Sequence, residues 1–325
     1  MSKIIVTGGA GFIGSHLTDE LVKLGHEVAV VDNLMLGKKE FVNKKAKFYK
    51  KDIRDYKSLK KIFKGADAVF HLAADPRLPV SIEDPLTTND INVNGTLNVL
   101  WAAKENQVSK VIFSSSCAVY GLGKPPFKED SPGNPVSPYG LHKLIGEKYC
   151  QLFFNLYGLK TVCLRYFNVF GPRKLATGAY PMVIPIFLDQ RAKNKVMTIV
   201  GDGQATRDYV HVSDVVRANI LAWRSKVDNG SVVNIGSGKQ VSVNEVAKII
   251  GGETINISAR PGEMVAAEAD NTKARQVLGW EPTVAFDPTE VLGSRTWGDG
   301  STDTIVWTYN RLTGTDPTYT IENGY

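Results

Sequence analysis

Thr7-Gly8-Gly9-Ala10-Gly11-Phe12-Ile13-Gly14 joins an apolar run, Lys3–Thr7, to a helical pattern over Ile13–Leu24 that stops at Gly25. Gly8, Gly11 and Gly14 sit where a strand turns into a helix, spaced GxxGxxG. Glycines there permit a tight turn and close backbone approach, and the helix N-terminus offers free N–H donors and positive dipole to a pyrophosphate. A lone glycine motif is weak, but this one has its strand–turn–helix context. A second apolar run, Glu27–Asp32, then ends on an acid. That acid lies near the spacing of about 20 residues expected of a ribose-binding carboxylate. A carboxylate there accepts from ribose hydroxyls and repels a 2′-phosphate, which favours NAD over NADP. The bland alternative, a flexible loop beside a surface Asp, explains neither the spacing nor the flanking elements.

Outward from this turn the pattern repeats. Apolar runs at Ala68–Leu72, Lys110–Ser114 and Lys160–Arg165 predict buried strands, and Val93–Asn106 and Tyr139–Leu156 predict helices. Strands alternating with helices imply α/β architecture: a Rossmann-type, doubly wound parallel sheet. After Gly171-Pro172-Arg173 the elements shorten, which predicts a smaller α/β substrate domain over the strand ends. The expected division is a dinucleotide domain over 1–167, to which later segments can return, and a substrate domain mainly over 168–285. A different tail follows over 286–325.

The tail changes composition. Lysine is absent from Phe286 to Tyr325, and threonine, glycine and aromatics take over. Thr304–Asn310 and Thr318–Glu322 alternate as strands do, around a turn-like Thr313-Gly314-Thr315-Asp316-Pro317. This predicts a β-hairpin-like tail. It reads either as a lineage-specific addition or as a fused segment joined near Gly293-Ser294.

Bulk properties exclude several classes. With 325 residues the chain can bury a large core. No apolar run approaches the roughly 18–20 residues of a membrane span. Met1-Ser2-Lys3 leads straight into a strand without a signal-peptide pattern, and three cysteines show neither metal spacing nor a disulfide framework, so a cytoplasmic location is expected. Five scattered histidines form no zinc motif, so no metal is expected. The net charge is +6, and lysines cluster between Lys38 and Lys64, without the aromatic interleaving of a nucleic-acid module. Mild basicity does suit a polyanionic small substrate.

Tyr139-Gly140-Leu141-His142-Lys143 sets a phenol and an ammonium at i, i+4 on one helix face. A free tyrosine, pKa about 10, is a poor base at neutral pH. A neighbouring cation lowers that value, so the pair predicts an acid/base group beside the nucleotide site.

The assembled segments resemble the extended short-chain dehydrogenase/reductase family, in its nucleotide-sugar epimerase/dehydratase branch. They are TGGAGFIG (7–14), VDN (31–33), DI (52–53), HLAA (71–74), NVNGT (92–96), FSSSCAVYG (113–121), SPYGLHK (137–143), RYFNVFGPR (165–173), GDGQATRDYVHVSD (201–214), NIGSG (234–238) and RPGE (260–263), in the family's order over about residues 1–285. The resemblance implies Ser116, Tyr139 and Lys143 as the catalytic set, with Ser116 bridging the sugar O4 and the phenol, and Ser114 and Ser115 close enough to shift the register. It implies NAD contacts at Gly8, Gly11, Phe12, Ile13, Gly14, Asp32, Asn33, Asp52, Ile53, Leu72, Ala73, Ala74, Asn92, Ser114, Tyr139, Lys143 and Tyr166. On the sugar side it implies Ser116, Asn168, the paired arginines Arg207 and Arg260, and Ala267, a small residue that would leave room for an N-acetyl group. Guanidinium suits a diphosphate by geometry and permanent charge.

Family dehydratases and decarboxylases carry an acid after the catalytic Ser/Thr, whereas Cys117 and Ala118 stand here. Cys117 is expected to pack as a small hydrophobe. What remains is oxidation and re-reduction at one carbon. The resemblance therefore implies 4-epimerisation of a UDP-hexose, UDP-glucose/UDP-galactose first, by a homodimer paired through the helices near 93–106 and 139–156. A UDP-uronate 4-epimerase or another NAD-dependent sugar-nucleotide enzyme is the nearest alternative, and a non-catalytic NAD-binding sensor the remote one.

Overall fold

The computed structural model describes residues 1–174, 183–258, 266–287, 295–296, 302–308 and 318–323. The first half runs β1 (Lys3–Thr7), α1 (Phe12–Lys23), β2 (Glu27–Asp32), β3 (Lys47–Lys50), α2 (Tyr56–Ile62), β4 (Ala68–His71), α3 (Leu78–Glu83), α4 (Pro85–Asn89), α5 (Gly95–Glu105), β5 (Lys110–Ser116), α6 (Pro138–Tyr157) and β6 (Thr161–Tyr166). The second half runs β7 (Asn168–Phe170), α7 (Val183–Ala192), β8 (Met197–Val200), β9 (Thr206–Arg207), β10 (Tyr209–His211), α8 (Val212–Arg224), β11 (Asn229–Ile235), β12 (Val241–Ser242), α9 (Val243–Ile250), β13 (Thr254–Ile257) and α10 (Thr272–Leu278).

Seven strands form one sheet in the order β11-β6-β5-β4-β1-β2-β3, every pair parallel. Alternation along β1 shows why both faces must be covered. Ile4 and Val6 pack with Leu17 and Leu21 of α1 and with Val215 and Ala218 of α8. Ile5 points the other way, into a core with Leu59 of α2, Val99 of α5 and Phe153 of α6. Such two-sided burial is the doubly wound arrangement. The chain leaves β1 outward through β2 and β3, then returns to β4 on the other side of β1. The crevice at that reversal, beyond the carboxyl ends of the strands, is where such sheets bind ligands.

The sequence missed β3 and α2. In β3 only Phe48 and Tyr49 are apolar, between Lys47 and Lys50. This is an edge strand blunted by lysines, which hides its alternation. β11 closes the opposite edge against β6, so the chain returns to the large sheet after the shorter elements. A separate small core joins Ile184, Phe187 and Leu188 of α7, Met197 and Ile199 of β8, and Val246 and Ile250 of α9. In the tail, Arg295–Thr296, Thr302–Thr308 and Thr318–Asn323 form a three-stranded antiparallel sheet, β14 to β16. Two of these strands are the alternating runs of the expected hairpin, whereas the turn at 313–317 and Gly293-Ser294 lie outside the described residues. Among the described residues no helix is long and apolar enough to cross a membrane.

Candidate active site

A cavity of about 670 Å³ opens at the sheet's switch point. Its floor is the glycine turn. Gly8 has φ +73°, and a Cβ there would come within 2.7 Å of the Ala73 nitrogen. A Cβ on Gly14 would collide with the Gly8 carbonyl oxygen. Only glycine lets these backbones meet. No side chain caps α1, so its first N–H groups point into the cavity mouth.

Asp32 ends β2 almost fully buried, 8 % exposed. Its carboxylate accepts from the Ala10 N–H at 3.0 Å and the Leu34 N–H at 2.8 Å. Burial pushes its carboxyl up, and these two N–H groups oppose that. Each oxygen keeps a lone pair for a ribose hydroxyl. Asn33 donates to Asp52 at 2.8 Å. Hydrogen bonds from Arg54 hold the Asp52 carboxyl at about 2. Asp32, Asn33, Asp52 and Ile53 all line the same end of the cavity.

Leu72, Ala73 and Ala74 form the next part of the wall, and a buried chain of hydrogen bonds sets them in place. Thr96 Oγ1 donates to the Asn92 carbonyl at 2.6 Å, so it must accept from His71 Nε2 at 2.9 Å. His71 Nδ1 is then the bare nitrogen and accepts from Thr7 Oγ1 at 2.8 Å, while Thr7 Oγ1 accepts from the Ala73 N–H at 3.3 Å. Burial drives His71 down to about 3, in keeping with a neutral ring. Asn92 stands behind the residues that line the cavity. Its amide is spent on Asp75, donating to that carbonyl at 2.9 Å and accepting its N–H at 2.7 Å. Asn92 therefore props the wall from behind.

At the reacting end, α6 brings Tyr139 and Lys143 to the same cavity as Ser114, Ser116 and Tyr166. Ser137 caps the helix by accepting from the Gly140 N–H, which fixes its first turn. Lys143 Nζ donates to the Ser114 carbonyl at 2.7 Å and lies 5.8 Å from the Tyr139 ring centroid. Burial lowers Lys143 to about 8, and Glu147 opposes this. The Tyr139 phenol departs from the expected lowering. Burial pushes it up to about 12, and a hydrogen bond with Ser116 works against that rise. The Lys143 ammonium, bonded to the Ser114 carbonyl, is not among the groups that lower the phenol. Ser116 Oγ also accepts from the Ala118 N–H at 3.2 Å. Burial raises Cys117 to about 12, so it stays a thiol. Tyr166 reaches away from the cavity with its hydroxyl, donating to Asn219 at 2.9 Å.

Asn168 and Arg207 line the far end. Arg207 Nη1 donates to the Thr206 carbonyl at 2.8 Å, leaving the rest of its fork for a ligand. Behind it, buried Asp208 accepts from Ser237 Oγ at 2.7 Å, Gly238 N at 2.9 Å and Ala269 N at 2.9 Å. Ala267 sits behind the cavity wall. It is 1 % exposed, packed among Val119, Tyr120, Phe127 and Phe167, and does not line the cavity. Arg260 lies outside the described residues. The sequence reading missed Arg173 and Lys174 on the wall. Their signal was available, since Arg173 closes the segment RYFNVFGPR and Lys174 follows it directly, yet neither was given a role.

The profile of the NAD dependent epimerase/dehydratase family matches residues 4–236. A putative UDP-glucose 4-epimerase of Methanocaldococcus jannaschii is 44 % identical over 292 residues, 86 % of this chain and 93 % of that protein. The crystal structure of UDP-glucose 4-epimerase with UDP-glucose from Thermotoga maritima superposes with a TM-score of 0.84 at 40 % identity, covering 87 % of this chain and 94 % of that one. The Thermus thermophilus UDP-glucose 4-epimerase complex with NAD gives 0.82 at 36 % identity, covering 87 % and 95 %.

Proposed function

The chain belongs to the NAD-dependent epimerase/dehydratase family, and on that premise we propose that it interconverts UDP-hexoses at C4, UDP-glucose and UDP-galactose first. It is an NAD-dependent nucleotide-sugar epimerase. The glycine turn that no Cβ can enter, the uncapped start of α1 and the buried Asp32 fit a dinucleotide. One observation carries the reaction. Ser116, Tyr139 and Lys143 line one cavity between the nucleotide cradle and Arg207, and Cys117-Ala118 put no acid after Ser116.

We assign the roles as follows. Asn168 and Arg207 hold the nucleotide-sugar diphosphate, so that the sugar reaches back towards Tyr139. Ser116 would receive the O4 hydroxyl and relay its proton to Tyr139 as the phenolate, the form that the positive charge of bound NAD would favour over the resting phenol. NAD, which the glycine turn and Asp32 would hold, would supply a hydride acceptor for C4 and return the hydride, so it would not be consumed. The keto sugar turns over within the cavity. Tyr139 then returns the proton to O4 through Ser116 as the hydride returns to the opposite face. Lys143, anchored on the Ser114 carbonyl, holds its charge at the phenol's ring and steadies the cofactor ribose. We assign residues 1–167 mainly to the cofactor and 168–285 mainly to the sugar nucleotide. We also place a homodimer on α5 and α6. Leu152, Leu156 and Tyr157 leave α6 exposed by 45 %, 62 % and 44 %, beside half-buried Trp101 of α5.

The test is an assay of the full chain with UDP-galactose, coupling UDP-glucose formation to NADH through a dehydrogenase. UDP-N-acetylhexosamines and UDP-glucuronate are run in parallel. UDP-glucose formation is expected. A 4-keto-6-deoxy sugar, released carbon dioxide, or turnover confined to the uronate overturns the reading.

A further inference from the structure

Residues 172–174 lie along one face of α1. His16 Nε2 donates to the Pro172 carbonyl at 2.9 Å, and Asp19 pairs with Arg173 at 2.7 Å. One turn earlier, Lys174 Nζ stands 5.1 Å from the centroid of the Phe12 ring. Phe12, His16 and Asp19 are i, i+4 and i+7 on that helix, so the whole face is used to lay this segment down. Arg173 takes φ +65° to make the turn, a conformation that a non-glycine residue adopts only when its surroundings hold it.

We propose that Lys174 is a diphosphate-binding residue, its ammonium set opposite the N-terminus of α1 to receive the cofactor's diphosphate. The proposal rests on NAD occupying the cavity. Lys174 shares the cavity wall with Gly11, Phe12, Ile13 and Gly14. The turn from Thr7 to Gly14 contains no cationic side chain of its own. The acid nearest this segment, Asp19, is engaged by Arg173. Partial burial lowers Lys174 to about 8, with no carboxylate among the described residues opposing it. An ammonium sharing a wall with uncapped helix N–H groups is unfavourable by itself. A dinucleotide's diphosphate between them neutralises the ammonium and accepts from the N–H groups at once. The sugar nucleotide carries the same chemistry, but Arg207 stands on the wall near Asn168 for that group, whereas Lys174 stands over Phe12.

The experiment uses the full-length protein as purified, with its bound NAD exchanged against isotope-labelled NAD. UDP affinity is measured by calorimetry on the same preparations. Lys174→Met is expected to speed NAD exchange roughly ten- to a hundredfold, the loss of one charge-assisted contact, and Lys174→Arg to retain most of the wild-type rate. UDP affinity is expected to hold in both. An unchanged exchange rate in Lys174→Met overturns the proposal, as does a loss confined to UDP. Equal losses in Lys174→Met and Lys174→Arg also overturn it, because charge would then not be the cause. A wild-type protein that carries no NAD overturns the cofactor reading and the proposal together.

Discussion

Glu147 grips Arg165 through two parallel hydrogen bonds, Nε to Oε1 at 2.8 Å and Nη2 to Oε2 at 2.7 Å. Both side chains are buried, 4 % and 5 % exposed. Ser115 adds a third bond to the same carboxylate at 2.5 Å. Glu147 stands one turn beyond Lys143 on α6, while Ser115 lies between Ser114 and Ser116 on β5. The cluster therefore fastens the helix carrying Tyr139 and Lys143 to the strand end carrying Ser116. Glu147→Ala strands a guanidinium in the core and should lower stability by about 3–5 kcal/mol. Glu147→Leu combined with Arg165→Met should lower it much less. Urea unfolding of the three proteins checks this, and equal losses in the single and double variants would show that the pairing is not what matters.

Tyr139→Phe removes the only phenol hydroxyl that α6 brings beside Ser116, and leaves the Lys143 bond to Ser114 in place. The expected loss in kcat is about 10²–10⁴-fold, the range for one positioned acid/base group. Bound NAD should remain stoichiometric, because the cradle lies at the other end of the cavity. NAD content and turnover measured on one preparation separate the two effects. Loss of the cofactor along with activity would assign Tyr139 to binding.

Asp32 carries two roles in one carboxylate. It accepts the Ala10 and Leu34 N–H groups and leaves lone pairs facing the cavity. Asp32→Ala loosens the glycine turn and removes the charge that repels a 2′-phosphate. NAD retention should fall roughly tenfold or more, and the preference for NAD over NADP should narrow. Competition between the two cofactors on the full chain tests this. A preference unchanged in the variant would place cofactor choice elsewhere.

That these residues gather at the strand ends was legible because residue type and spacing decide it. Glycines at a strand–helix turn, an acid closing β2 and a phenol–ammonium pair at i, i+4 each have few other uses. The paired tail strands were legible too, through simple alternation. What stayed hidden depends on orientation. Asn92 lies in the right segment, yet its amide is consumed by Asp75, a choice made by the path of the backbone. Ala267 is small in the expected place and packs against Phe127 and Phe167, the latter lining the cavity, a neighbourhood that spacing alone does not give. β3 escaped notice because an edge strand needs its lysines. The rise in the Tyr139 pKa could not be read either. Spacing brings the ammonium near, and only the structure shows that the Ser114 carbonyl holds it.

That same bond makes Lys143 a pH probe. Burial lowers it from 10.5 to about 8. Below about pH 8 its ammonium is charged in both the folded and the unfolded chain, and the buried charge detracts from stability. Between about pH 8 and 10.5 the folded protein has released this proton while the unfolded chain still binds it. This group's contribution to stability therefore rises with pH across that window. Activity should move the opposite way, because a neutral amine donates more weakly to the Ser114 carbonyl and to the cofactor ribose that Lys143 is proposed to hold. Lys143→Met removes the titration from both measurements. The stability of wild type relative to the variant, from urea midpoints, should grow as pH is raised through the window, while the alkaline limb of wild-type turnover falls. A stability difference that stays flat from neutral to alkaline pH would mean that burial does not depress this lysine.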